Sequence, residues 1–113
     1  MNLPNNQAPH LCMLYCTCRD QKEAEHIAAT LIEEKLIACA NILPTHTSIY
    51  HWQGELQQES EVAMFLKTRA SLFARVSERI TALHSYDTCC ILKLNIDDCN
   101  QAYGRWLTLN TIN

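Results

Sequence analysis

Glycine is almost missing from this sequence. Its 113 residues contain two, Gly54 and Gly104, so a glycine-rich loop cradling a phosphate is excluded. Long apolar runs are missing too. None approaches the ~18 residues that a membrane-crossing helix needs. Neither sign of charge dominates: nine Lys and Arg stand against twelve Asp and Glu, a formal net charge of −3. That balance argues against an electrostatic grip on nucleic acid or on an anionic membrane. The chain carries no G-x-S-x-G and no H-E-x-x-H, so two common hydrolytic motifs are absent. It has no C-x-x-C of the thioredoxin or zinc-finger kind. The K/R-G-F/Y-G/A-F-V-x-F/Y strand of an RNA-recognition domain is also missing. Residues 1–10 hold two prolines and no Lys or Arg, which predicts that there is no signal peptide.

Cysteine, by contrast, is abundant. There are seven: Cys12, Cys16, Cys18, Cys39, Cys89, Cys90 and Cys99. An odd number with no signal peptide predicts free thiols in a reducing cytoplasm rather than a disulfide framework. Hydrophobic residues make up 48% and charged residues 19%, the balance of a globular domain rather than a disordered chain. The polar, proline-containing start predicts a flexible tail over 1–9 and a single domain over 10–113.

Hydrophobic spacing gives the elements. Leu11 to Thr17 is an apolar run suited to a buried strand. Asp20 stands three residues before Glu23, the capping-box spacing. Ala24, Ile27, Ala28, Leu31 and Ile32 then recur at helical intervals, which predicts a helix over about 21–35. Ile37 to Leu43 reads as a strand stopped by Pro44. Thr45 to Trp52 is rich in β-branched and aromatic residues, with His46, Ser48, Tyr50 and Trp52 on one face. Gln53-Gly54 supplies a turn. Val62, Met64 and Leu66 alternate in a strand over 61–67. Thr68 and Ser71 are candidate caps for a second amphipathic helix, which bears Leu72, Val76, Ile80 and Leu83 and ends near His84. Cys89 to Ile96 is a further strand with Cys90, Leu92, Leu94 and Ile96 on one face. Asn100 caps a short third helix.

This order predicts an α+β fold, a ferredoxin-like βαββαβ sandwich with an extended β-hairpin and a C-terminal helix. The stretch from Ile37 to Trp52 is longer than the first strand. Part of the hairpin therefore overhangs the sheet as an exposed edge, which predicts a homo-oligomer assembled through it.

Cys12, Cys16 and Cys18 share one face of the first strand. Cys12 and Cys16 are ~13 Å apart, too far for one ion, whereas Cys16 and Cys18 are ~6.6 Å apart at Cα. That pair suits a soft ion such as Cu(I) or Zn(II), and equally suits two small core residues. Cys39 lies on a strand that need not neighbour the first. Cys89 and Cys90 point to opposite faces of a strand, so joint ligation needs a bulge. His84 ends a helix, where it either complements the dipole or serves as a ligand.

Four segments stand in order along the chain: Cys39-Ala40-Asn41-Ile42-Leu43-Pro44, then Ser48-Ile49-Tyr50-His51-Trp52-Gln53-Gly54-Glu55-Leu56, Ser60-Glu61-Val62 and Leu66-Lys67-Thr68. Together they resemble one known family, the CutA divalent-cation-tolerance proteins. The likeness runs in order from about Leu11 to Leu107. It implies a cytoplasmic, ferredoxin-like homotrimer that is not an enzyme, that is linked to copper and other divalent metals, and that needs no obligatory cofactor. It implies no nucleic-acid or membrane partner. The family's motif residues map to Cys39, Asn41, Tyr50, Trp52, Gly54, Glu61, Lys67, His84 and Tyr86. The resemblance implies Cys16 and Cys39 as metal ligands; Cys18, from its place beside Cys16 on the strand, is an added local ligand, and His84 a candidate cleft ligand. It implies an intersubunit cleft or interface at Tyr50, Trp52, Glu61, Lys67 and Tyr86. The alternative it offers is a signalling trimer akin to the PII proteins, binding a small molecule or protein partner in that cleft. One segment departs from the family. Its usual H-P-Y-E-x-P-x-I reads His84-Ser85-Tyr86-Asp87-Thr88-Cys89-Cys90-Ile91, and the loss of both prolines predicts a less restrained loop.

Overall fold

The computed structural model describes residues 10–113; the expected tail over 1–9 lies outside the described residues. In chain order the elements are β1 (Leu11–Cys18), α1 (Gln21–Glu33), β2 (Cys39–Ile42), β3 (His46–Trp52) and β4 (Glu55–Arg69). There follow α2 (Phe73–Leu83), β5 (Ile91–Ile96) and α3 (Gln101–Leu109). The strands form one open antiparallel sheet in the order β2-β4-β1-β5, with β3 paired to β4. This is the expected ferredoxin-like α+β arrangement.

Alternation along β1 sorts its residues between two environments. Cys12, Leu14, Cys16 and Cys18 are all fully buried. They pack with Met64 and Leu66 of β4 and with Ile27, Leu31, Val76 and Ile80 of α1 and α2. The opposite face carries Met13, Tyr15 and Phe65, and it exposes Leu92 (55%) and Leu94 (41%) from β5. Helix α3 covers one end of that face, where Leu107 packs with Leu11 and Ala38.

β4 is longer than the 61–67 expected. Its inner residues, Val62–Arg69, pair with β1, while Glu55–Glu61 pair with β3. The outer half is polar, so hydrophobic alternation does not reveal it. Backbone hydrogen bonding to β3 creates it instead. The overhang expected of the hairpin is therefore present, and β1 ends where it begins. The turn places Gln53 at φ 52° and Gly54 at φ 82°, the two left-handed residues of a tight hairpin.

Helix α1 stops at Glu33 rather than Lys35 because Lys35 takes a left-handed φ of 58°. The Leu36 N–H then donates to the Leu31 carbonyl and the Lys35 N–H to that of Ile32, both at 3.0 Å, a Schellman closure. At its start the Asp20 carboxylate accepts from the Glu23 N–H at 2.9 Å, as the capping spacing predicts. Thr68 and Ser71 do not cap α2. The Thr68 hydroxyl is buried and donates to the Leu36 carbonyl at 2.6 Å. β5 begins at Ile91 rather than Cys89. Its pairing with β1 ends at Cys16, and the next carbonyl, that of Thr17, accepts from His84 Nε2 at 2.8 Å.

Glu23 also has a tertiary role. Its carboxylate accepts from the Arg19 N–H at 2.9 Å and from the Ser85 N–H at 2.8 Å. Burial by itself raises its pKa, but these donors, with His84 nearby, outweigh that and hold it below its ordinary value. A depressed carboxylate stabilises the fold above its unfolded pKa, and the contribution is lost as pH falls through the folded value. Glu23→Gln should therefore be less stable than the parent at neutral pH, with the gap closing as pH falls below about 4. Urea unfolding at a series of pH values measures this. Leu66→Ala, at a fully buried position, should cost ~2–5 kcal/mol in the same assay.

Candidate functional site: a thiol–imidazole cluster beside an aromatic cleft

Two chemically distinct sites flank the segment that joins α2 to β5. The first lies on the helix-covered face. Strand alternation turns Cys16 and Cys18 into the core, and the end of α2 delivers His84 to the same point. The ligand atoms of Cys16, Cys18 and His84 all lie within 4.8 Å of one another. Two sulfurs bound to one ion at ~2.3 Å span at most ~4.6 Å. With a third ligand on the same ion that span falls to ~3.8–4.0 Å, so the cluster closes by up to about an ångström to bind. Two thiols and an imidazole suit copper or zinc.

The cluster is dry. Both cysteines are fully buried, and the His84 side chain has no exposed surface. The Cys18 side chain, followed by burial, pushes the Cys16 thiol up. An ion bound here must displace the thiol protons. His84 is held from both ring nitrogens. Nε2 donates to the Thr17 carbonyl at 2.8 Å, and Nδ1 accepts from the Tyr86 N–H at 3.1 Å. Nε2 thus serves as the donor and Nδ1 as the acceptor. Ligation through Nδ1 costs it the Tyr86 bond.

The second site is a cleft of ≈ 590 Å³ on the opposite side of that segment. The hairpin contributes Tyr50 and Trp52 from β3 and Glu59 and Glu61 from β4, and the joining segment adds Tyr86 and Asp87. Glu61 is 8% exposed. The Tyr50 hydroxyl donates to Glu59 at 2.9 Å. The rings of Tyr86 and His84 pack at 4.7 Å between centroids, so the two sites share a wall.

The fold brings together Cys16, Cys18 and His84, and separately Tyr50, Trp52, Glu61 and Tyr86. It leaves Cys39 and Lys67 apart from both groups. Cys39 pairs with Lys67, which pairs with Met13. Cys39 thus lies two strands away from Cys16 and three residues along, ~14 Å by sheet spacings, and on the opposite face. Within one chain these two thiols cannot hold one ion. Lys67 stands six residues from Glu61 on β4, ~20 Å along the strand. Its ammonium lies 5.5 Å from the centroid of the Tyr103 ring. Glu23, Glu59, Asp87 and the Thr17 carbonyl also build these sites, and sequence reasoning did not find them there. The Asp20–Glu23 spacing marked a helix start, but the reach from Glu23 to Ser85 spans 62 residues and has no local signature.

A family model for the CutA1 divalent ion tolerance protein matches residues 12–110. The divalent-cation tolerance protein CutA of Pyrococcus horikoshii is 41% identical over 101 residues, which are 89% of this chain and 98% of that protein. The crystal structure of CutA1 from Oryza sativa superposes with a TM-score of 0.90 at 33% identity, covering 93% of this chain and 96% of that one. The structure of the periplasmic divalent cation tolerance protein CutA from Archaeoglobus fulgidus superposes at 0.86 with 36% identity, covering 88% and 97% respectively. With nearly the whole chain matched in sequence and in backbone, this protein belongs to the CutA1 divalent ion tolerance family.

Proposed function

We propose that this protein is a non-enzymatic homotrimer that binds copper or another thiophilic divalent metal and so contributes to ion tolerance in the cytoplasm. The observation that carries this reading is the convergence of Cys16, Cys18 and His84 within 4.8 Å in a dry pocket. All seven cysteines are free thiols, which supports a reducing compartment. Self-association is supported by the exposed Leu92 and Leu94 on the helix-free face and by the overhanging hairpin with Ile49 63% exposed. Large apolar patches of this kind mark interfaces.

Titration of the anaerobically reduced protein with Cu(I) and Zn(II) tests the metal. One ion per chain is expected, lost in the Cys16→Ser/Cys18→Ser double variant and retained in Cys39→Ser. An ion that binds N alone raises stability by ~2.7 kcal/mol at a hundredfold excess over Kd, which a thermal melt reads directly. Binding unaltered in the double variant, or no binding at all, overturns the assignment. Native mass measurement should give three copies, and Leu92→Lys/Leu94→Lys should give monomers. A monomeric parent overturns the trimer.

A further inference from the structure

We propose that the cleft between the hairpin and the joining segment binds a small organic cation, an ammonium group carried on an aromatic or apolar body. Glu61 lines the cleft and is more than nine-tenths buried. Among the described residues no Lys, Arg or His nitrogen pairs with its carboxylate; the ion pairs present are Arg19–Asp20 and Arg79–Glu34, and the one His–carboxylate approach is His84 Nδ1 to Glu23 at 4.0 Å. His46 stands across the ladder from Glu61, but its ring nitrogen is engaged with the Ser48 hydroxyl at 3.1 Å. A buried carboxylate without a counter-ion is costly unless something pairs with it.

The remaining walls define what that partner is. The lining carries three carboxylates, those of Glu59, Glu61 and Asp87, against one guanidinium. That guanidinium belongs to Arg19, 61% exposed and turned to Asp20 at 3.4 Å. The cleft is therefore anionic, and an anion is disfavoured. The Tyr86 phenol is hydrogen-bonded to the Glu61 carboxylate, a neutral partner that leaves its charge uncompensated. Tyr50, Trp52 and Tyr86 supply three aromatic rings, the surfaces on which a cation rests with least loss on leaving water. A bare metal ion fits poorly. The one cluster of metal-competent donors among the described residues is Cys16, Cys18 and His84, on the other side of the Tyr86 wall. The volume of ≈ 590 Å³ falls within the range of small-molecule pockets. This inference stands on the cleft and not on the thiol cluster, so either can fail without the other.

Trp52 is the reporter. The chain has two tryptophans, and Trp106→Phe leaves Trp52 as the sole source of indole emission. Phenethylamine is the probe, phenethyl alcohol its neutral counterpart and phenylacetate its anionic one. The amine should change Trp52 emission saturably, and the alcohol and the acid should bind at least about tenfold more weakly. Glu61→Gln should weaken the amine by about tenfold with no change in secondary structure. Cys16→Ser/Cys18→Ser should leave amine binding as it is while abolishing metal uptake. The inference is overturned by the absence of a saturable response at millimolar amine, by equal binding of the alcohol, or by an unchanged affinity in Glu61→Gln. Should Glu61→Gln not fold, the amine–alcohol comparison on the folded Trp106→Phe protein decides the matter alone.

Discussion

Because β4 is fifteen residues long and β1 only eight, one strand has to serve two sets of partners. Its inner half is clamped between β1 and β2, where Met64 and Leu66 are fully buried. At ~1.5–3 kcal/mol for each large apolar side chain removed from water, that half fixes the register of the whole sheet. Its outer half is carried out of the sheet by the same backbone and stays straight by pairing with β3. Glu61 sits at the junction, buried with the inner half and paired with the outer one. The cleft exists because the sheet stops there while β4 continues.

The segment from His84 to Cys90 fills the corner this leaves. It contains no proline, so no ring fixes φ along it. This chain restrains it with hydrogen bonds. The Ser85 N–H, which a proline would lack, donates to the buried Glu23 carboxylate. The Tyr86 N–H donates to His84, and His84 donates to Thr17. The loop is anchored without any proline. The same bonds connect the two sites: His84 looks into the thiol pocket, and Tyr86, bonded to it, walls the cleft.

The thiols divide by strand alternation. Cys12, Cys16 and Cys18 all face the core, and of these the last two meet an imidazole. Cys39 is on a strand of the same sheet with the opposite parity, so it faces the helix-free side beside Lys67. Four residues of the implied cleft converge within one chain, and Lys67 does not, since it sits over Tyr103 at the α3 end of the sheet. Charge follows the same division. The carboxylates gather at the overhang, and the Lys67 ammonium lies with the aromatic edge of α3.

Local spacing along the chain accounts for a good part of the fold. The alternation of β1, the helical period of α1 and α2, the Asp20 cap, the Gln53-Gly54 turn and the overhang of the hairpin all depend on neighbours within a few residues. So does the sharing of one face by Cys16 and Cys18. Tertiary structure decided the rest. The outer half of β4 has no apolar period and exists only because β3 lies beside it. The meeting of His84 with two thiols, the opposed faces of Cys16 and Cys39, and the Glu61 carboxylate set among three aromatic rings all join residues far apart in the chain. Sequence spacing fixes which way a side chain points from its own element. Only the packing of elements fixes what it points at.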